Sequence, residues 1–145
     1  MTSELTKASK IAFASEYSFY LKAQNFHWNV TGPNFPQYHQ LFGTIYEEVG
    51  DSIDPFAENI RKLGSFTPAS FQRFSMLSAV DDEMEILTSQ EMLAELLEDS
   101  EKMCKILKMV YDLSEADGEV GFSNFLAERI DAHKKHSWML KSTLG

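Results

Sequence analysis

The chain has 145 residues, 43% apolar and 24% charged, which is enough to bury a core and too apolar for wholesale disorder. Its 22 acidic and 13 basic residues give a net charge of −9, a balance that repels nucleic-acid phosphates. Cys104, the single cysteine, excludes internal disulfides and cysteine-cluster metal sites. No apolar run is long enough for a membrane span, and the N-terminal MTSELTKASK has no apolar leader core. A cytoplasmic protein with a single domain over residues 1–145 is expected.

The first helix is predicted to start near Ser3–Thr6 and to run to about Val30. Ile11, Ala14, Ser18, Leu21, Asn25 and Trp28 form one stripe at helical spacing. Phe13, Tyr17, Tyr20, Gln24 and His27 form a neighbouring one. Thr31-Gly32-Pro33-Asn34 breaks the chain, with Asn34 as the expected N-cap and Pro36 in the first turn of the next helix. The second helix follows from Phe35, Tyr38, Phe42, Ile45, Val49, Ile53, Phe56, Ile60 and Leu63, with Gly64 as its stop. Pro55 removes one backbone donor inside it and is expected to bend it.

About twenty residues of mixed character follow, with a short helix expected near Ala69–Phe74. Phe66, Phe71, Phe74, Met76 and Leu77 mark this stretch as a packed connector. A third long helix is predicted over Thr88–Ser114, carried by Leu93, Leu96, Met103, Leu107 and Val110. Nine acids lie between Asp81 and Glu101 with no Lys or Arg among them, the pattern of a solvated face or of a cation funnel. Asp117-Gly118 turns the chain into a last helix over Val120–Lys141, with Phe122, Leu126, Ile130, His133 and Leu140 on one face. Four long helices without period-two alternation predict an all-α four-helix bundle. The long link between the second and third helices predicts a crossover carrying a short helix.

His27, His39, Asp54 and Glu58 are the candidate metal ligands. Asp54 and Glu58 are one helical turn apart and share a face. Imidazole with carboxylate suits Fe, Zn or Mn. His39 and Asp54 lie fifteen residues apart on one predicted helix, a rise of roughly 22 Å, so they cannot share an ion within one chain. Two antiparallel copies related by a two-fold axis would bring His39 of one near Asp54 and Glu58 of the other, giving two equivalent shared sites. A di-iron centre inside one bundle needs Glu-x-x-His, and no Glu here has His three residues later. The ordinary alternatives are histidines that cap or pack, and a Glu58 paired with Arg61 or Lys62. His133 and His136 share helical spacing, and the expected reading is a surface or partly packed pair.

The stretch NFHWNVTGPNFPQYHQLF (Asn25–Phe42), with Asp54-Pro-Phe-Ala-Glu58, Leu63-Gly64, and Ala127–His133 through Trp138–Leu140, resembles the Dps family, the ferritin-like DNA-binding proteins from starved cells, or mini-ferritins. The resemblance covers nearly the whole chain. It implies a ferritin-like bundle assembled from two-fold dimers into a homododecamer. It implies ferroxidase centres at the dimer interface, with catalytic, iron-binding His27 and His39 from one chain and Asp54 and Glu58 from its mate. The implied chemistry is oxidation of Fe(II) by hydrogen peroxide or oxygen and storage of ferric mineral, with iron and no organic cofactor.

One position departs from the family pattern. Gly43 stands where the family places an Asp, four residues after the second His, which puts two irons per site in doubt. Glu47 lies about 12 Å from His39 along the axis, too far for direct rescue, and is an outer-shell candidate. Trp28 is expected as a core or interface aromatic; the resemblance instead implies a place near the iron, where it intercepts radicals. Asp112, Glu115, Asp117 and Glu119 are pore candidates by the same resemblance, or simple helix-end acids. The tails offer few lysines, so strong DNA binding is not expected. The alternative function is a structural shell or nucleoid-associated protein with little ferroxidase activity.

Overall fold

The computed structural model describes residues 3–145. Met1 and Thr2, at the start of the segment read as lacking a leader, lie outside the described residues. Five helices are formed: α1 (Glu4–Asn29), α2 (Phe35–Lys62), α3 (Phe71–Leu77), α4 (Ser89–Ala116) and α5 (Val120–Leu144). The described residues contain no strand. The all-α bundle with a short helix in its crossover is therefore as expected.

Local chemistry sets the helix ends. The Ser3 hydroxyl accepts from the Thr6 N–H and caps α1. Thr88 and Glu91 form a reciprocal capping box at the start of α4. Gly64 adopts φ +91°, the left-handed conformation that ends α2 at low cost. Asn34 does precede α2, but at φ 67° and without a side-chain cap. The chain must reverse direction between Asn29 and Phe35, and Asn34 supplies left-handed backbone there. The helix α2 continues through Pro55.

The ends of the helices fix the topology. Tyr38, early in α2, accepts from Gln90, early in α4, so these two helices run parallel. Phe56, late in α2, meets Phe122, early in α5, edge to face. The crossover thus returns the chain to the end where α2 began. It is tied down by Thr67 donating to the Ala57 carbonyl and by the Ala79 N–H donating to Ser15. The short helix starts two residues later than expected, at the Ser70 cap, and Phe74 packs on Phe13 and Tyr17 of α1. Phe66, Phe71 and Met76, expected to pack, are exposed.

The core follows the expected stripes of α2, α4 and α5: Phe42, Ile45, Val49, Phe56 and Ile60 meet Leu93, Leu96, Met103, Leu107 and Leu126. The first helix differs. Its core stripe is Leu5, Ala12, Phe19, Ala23, Phe26 and Val30, in register with buried Ser9 and Glu16. Ile11, Leu21 and Trp28 of the first expected stripe are exposed, whereas Ala14 of that stripe and Phe13 of the neighbouring one are buried. Polar residues at core positions shift the apparent stripe by part of a turn.

Candidate metal centre

His27 lies in the last turn of α1, and His39 lies near the start of α2. The tight reversal brings them face to face, ring centroids 3.8 Å apart and planes within 14° of parallel. Each ring is tied to the other residue's backbone. His27 Nδ1 lies 2.6 Å from the His39 carbonyl oxygen, and His39 Nδ1 lies 2.6 Å from the His27 carbonyl oxygen. A carbonyl oxygen only accepts, so both Nδ1 atoms carry hydrogen. In the neutral ring this leaves the lone pair on Nε2, the tautomer that a metal bound at Nε2 requires. Phe35 stacks on His39 at 5.2 Å and Tyr46 leans on His27 at 5.1 Å, so both rings are racked in place.

Gly43 explains itself in this arrangement. A Cβ at that position would lie 2.8 Å from Cε1 and 2.9 Å from Nδ1 of His27. The imidazole rests against the bare α2 backbone, in space that a carboxylate-bearing residue would need. The missing Asp is thus matched by the position of the His27 ring.

Asp54 and Glu58 lie on the exposed side of α2, one turn apart. Among the described residues neither takes part in an ion pair. Arg61, the suggested partner of Glu58, instead lies over the Phe66 ring at 4.3 Å. Because α2 is unbroken, Asp54 stands roughly 22 Å and Glu58 roughly 28 Å along the axis from His39. No three His, Cys, Asp or Glu side chains converge on one point among the described residues. The four candidates therefore fall into an imidazole pair and a carboxylate pair at opposite ends of α2. Trp28 is 62% exposed beside His27 and is not a core residue of this chain. Glu47, Glu115, Asp117 and Glu119 are exposed, and Asp112 pairs with Lys108.

The sequence reading missed a charged network inside the bundle. Glu16 is fully buried, with Oε1 2.6 Å from His133 Nε2 and Oε2 3.4 Å from Arg129. Arg129 also binds Glu48, whose Oε1 lies 2.7 Å from His136 Nε2. His133 and His136, expected as a surface or partly packed pair, are both buried. Burial pushes the Glu16 carboxyl up, but His133 and then Arg129 outweigh it and hold it below the usual range. Burial likewise opposes ionisation of Glu48, yet His136 and Arg129 hold it at about 2. The guanidinium sits between the two carboxylates, and both Nε2 atoms are engaged by them. A metal entering here would have to displace Arg129.

A second buried cation, Lys22, binds Asp99 at 2.7 Å and Glu95 at 3.2 Å. Part of the acidic stretch read as a solvated face is therefore an internal counter-charge. Register was the available signal for both networks. Glu16 falls on the stripe of Phe19 and Phe26, and Arg129 and His133 fall on that of Leu126 and Leu140.

Residues 10–145 match the ferritin-like domain family. The DNA protection during starvation protein of Brevibacillus brevis is 34% identical over 134 residues, covering 86% of this chain and 84% of that one. The crystal structure of Dps from Staphylococcus aureus superposes with a TM-score of 0.93 at 27% identity, covering 98% of this chain and 95% of that one. Dps from Thermosynechococcus elongatus gives 0.94 at 25% identity, covering 98% and 90%. With the bundle, the crossover helix and the His27–His39 reversal already described, these likenesses make the chain a member of the Dps family of ferritin-like proteins.

Proposed function

We propose that this protein oxidises Fe(II) with hydrogen peroxide, or with oxygen, and stores the ferric product within a shell of twelve copies. The observation that carries the reading is the reciprocal hydrogen-bond lock of His27 and His39, which leaves two Nε2 lone pairs free. Asp54 and Glu58 of a two-fold mate would complete an N2O2 ligand set whose two negative charges neutralise one Fe(II). Gly43 favours one iron per site, because no bridging carboxylate is at hand.

Each Fe(II) gives one electron, and a peroxide that receives two becomes two waters without releasing hydroxyl radical. This supports a role in protection against oxidative damage. Exposed Trp28, beside His27, is suited to intercept stray radicals. Exposed acids at the α4–α5 turn, Glu115, Asp117 and Glu119 with Asp112, are suited to gather cations at a pore between copies.

Anaerobic Fe(II) titration followed by peroxide tests the proposal. The wild-type protein is expected to bind iron and then show a ferric absorbance rise. His27→Ala and Asp54→Ala should each abolish the fast rise. An unchanged rise in either variant would place oxidation elsewhere. An inert wild-type shell would favour the structural alternative.

A further inference from the structure

We infer that Tyr46, Tyr20 and Tyr17 form an electron relay that couples the two iron sites of a dimer, letting two single irons share one peroxide. The inference rests on the proposed inter-subunit site, but its geometry lies within one chain. From His27 the row runs to Tyr46 at 5.1 Å, to Tyr20 at 5.9 Å and to Tyr17 at 5.8 Å. All three phenols are half-buried, Tyr46 of α2 meeting Tyr20 of α1 ring to ring. Tyr17 stacks on Phe74 and lines a cavity of about 550 Å³ together with Ile53 and Asp54. The row therefore begins at the imidazole pair of one site and ends beside the carboxylate that the same chain gives to the other.

Two glycines hold the row in place. Gly43 and Gly50 are two turns apart on α2. A Cβ on Gly50 would lie 2.9 Å from Tyr20 Cε1, as one on Gly43 would crowd His27. Both glycines let an α1 ring lie against the α2 backbone. The glycine that disfavours a second iron thus belongs to the same surface that lines up the phenols.

The chemistry requires a second electron. One Fe(II) and one proton convert peroxide to Fe(III), water and hydroxyl radical. The radical takes a hydrogen atom from Tyr46, giving water and a tyrosyl radical. The hole passes to Tyr20 and then Tyr17, each electron moving ring to ring while the phenolic proton exchanges with solvent. Fe(II) at the other site, roughly 22 Å away along α2, reduces the last radical with uptake of one proton. The sum is two Fe(II), one peroxide and two protons giving two Fe(III) and two waters, with every tyrosine restored.

The test compares wild type with Tyr20→Phe, Tyr46→Phe and, as a control, Tyr111→Phe on α4, outside the row. Phenylalanine keeps the ring but has no phenolic proton to lose. Each protein is titrated anaerobically with Fe(II), then mixed with peroxide, frozen for electron paramagnetic resonance, and assayed with a hydroxyl-radical spin trap. Wild type should bind one iron per chain, show a transient tyrosyl signal and consume two Fe(II) per peroxide. Tyr20→Phe should bind iron as wild type does, and both Tyr20→Phe and Tyr46→Phe should consume nearer one Fe(II) per peroxide and yield several-fold more spin adduct. Unchanged stoichiometry and adduct in both variants would overturn the relay, as would an equal change in Tyr111→Phe. Two irons per chain would also overturn it, since each site would then supply both electrons. Failure of wild type to bind Fe(II), or binding that survives His27→Ala, would appear before peroxide is added and would remove the underlying site as well.

Discussion

Mixing two inactive variants gives the sharpest test of where the metal site lies. The helix α2 is continuous from Phe35 to Lys62, so His39 and Asp54 are held roughly 22 Å apart on a rigid rod. Metal–ligand bonds are about 2 Å, so no side-chain motion closes that gap within a chain. If two copies share each site, a His27→Ala chain still offers good carboxylates and an Asp54→Ala chain still offers good imidazoles. In a mixed dimer, one site takes imidazoles from the Asp54→Ala chain and carboxylates from the His27→Ala chain, and is intact. The other site lacks both. Random pairing makes half the dimers mixed, so about one quarter of the wild-type sites return.

The assay is the initial ferric absorbance rise after co-refolding or co-expression of the two chains in equal amounts. Each variant alone should give background, and the mixture about a quarter of the wild-type rate. A mixture of Asp54→Ala with Glu58→Ala supplies the control. Both lesions then lie on the carboxylate side, no intact site can form, and no recovery is expected. A first mixture no more active than its parents would refute the shared site, as would recovery in the control.

Other expectations follow from single contacts. Gly43→Ala should push the His27 ring off its preferred geometry, at a cost of about 0.5–1.5 kcal/mol, and so weaken Fe(II) binding by up to about tenfold in calorimetry. Arg129→Met leaves Glu16 buried, and Glu48 half-buried, without their guanidinium and should cost about 3–5 kcal/mol in urea unfolding, whereas Lys108→Ala at the exposed Lys108–Asp112 pair should leave the midpoint nearly unchanged. Glu48 is depressed from 4.5 to about 2, so its stabilisation is complete above pH 4.5 and is lost as the pH falls toward 2. Glu48→Gln should flatten the fall in urea midpoint over that window. Glu95 and Asp99, raised by burial, act with the opposite sign and are untouched by that substitution. A gel-shift titration at moderate salt should show no robust DNA retardation, given the net charge of −9 on each copy.

The second helix was legible because its inward positions are nearly all large and apolar, so period and register coincide. The first was legible as a helix but not in its facing. Ser9 and Glu16 occupy core positions, while Ile11, Leu21 and Trp28 are apolar and exposed. A stripe drawn through apolar residues alone must then turn the wrong side inward. The candidate site divides in the same way. Spacing exposed the two candidate ligand pairs and their separation, because helix rise is a property of the backbone. The purpose of Gly43 was not legible, since it depends on where the ring of His27, sixteen residues earlier, comes to rest. The internal network was hidden for a related reason. Glu16 meets His133 across 117 positions, and Glu48 meets Arg129 across 81, so each half looks like a solvated charge until the helices are packed. A buried charge is stable only with its counter-charge, and the counter-charge is what a local window omits. Glu16, Arg129 and His133 share one local trait: each falls in register with large apolar residues on its own helix. In an all-α chain of this kind, a charge on the apolar stripe is a reason to seek an opposite charge on another stripe before assigning it to water.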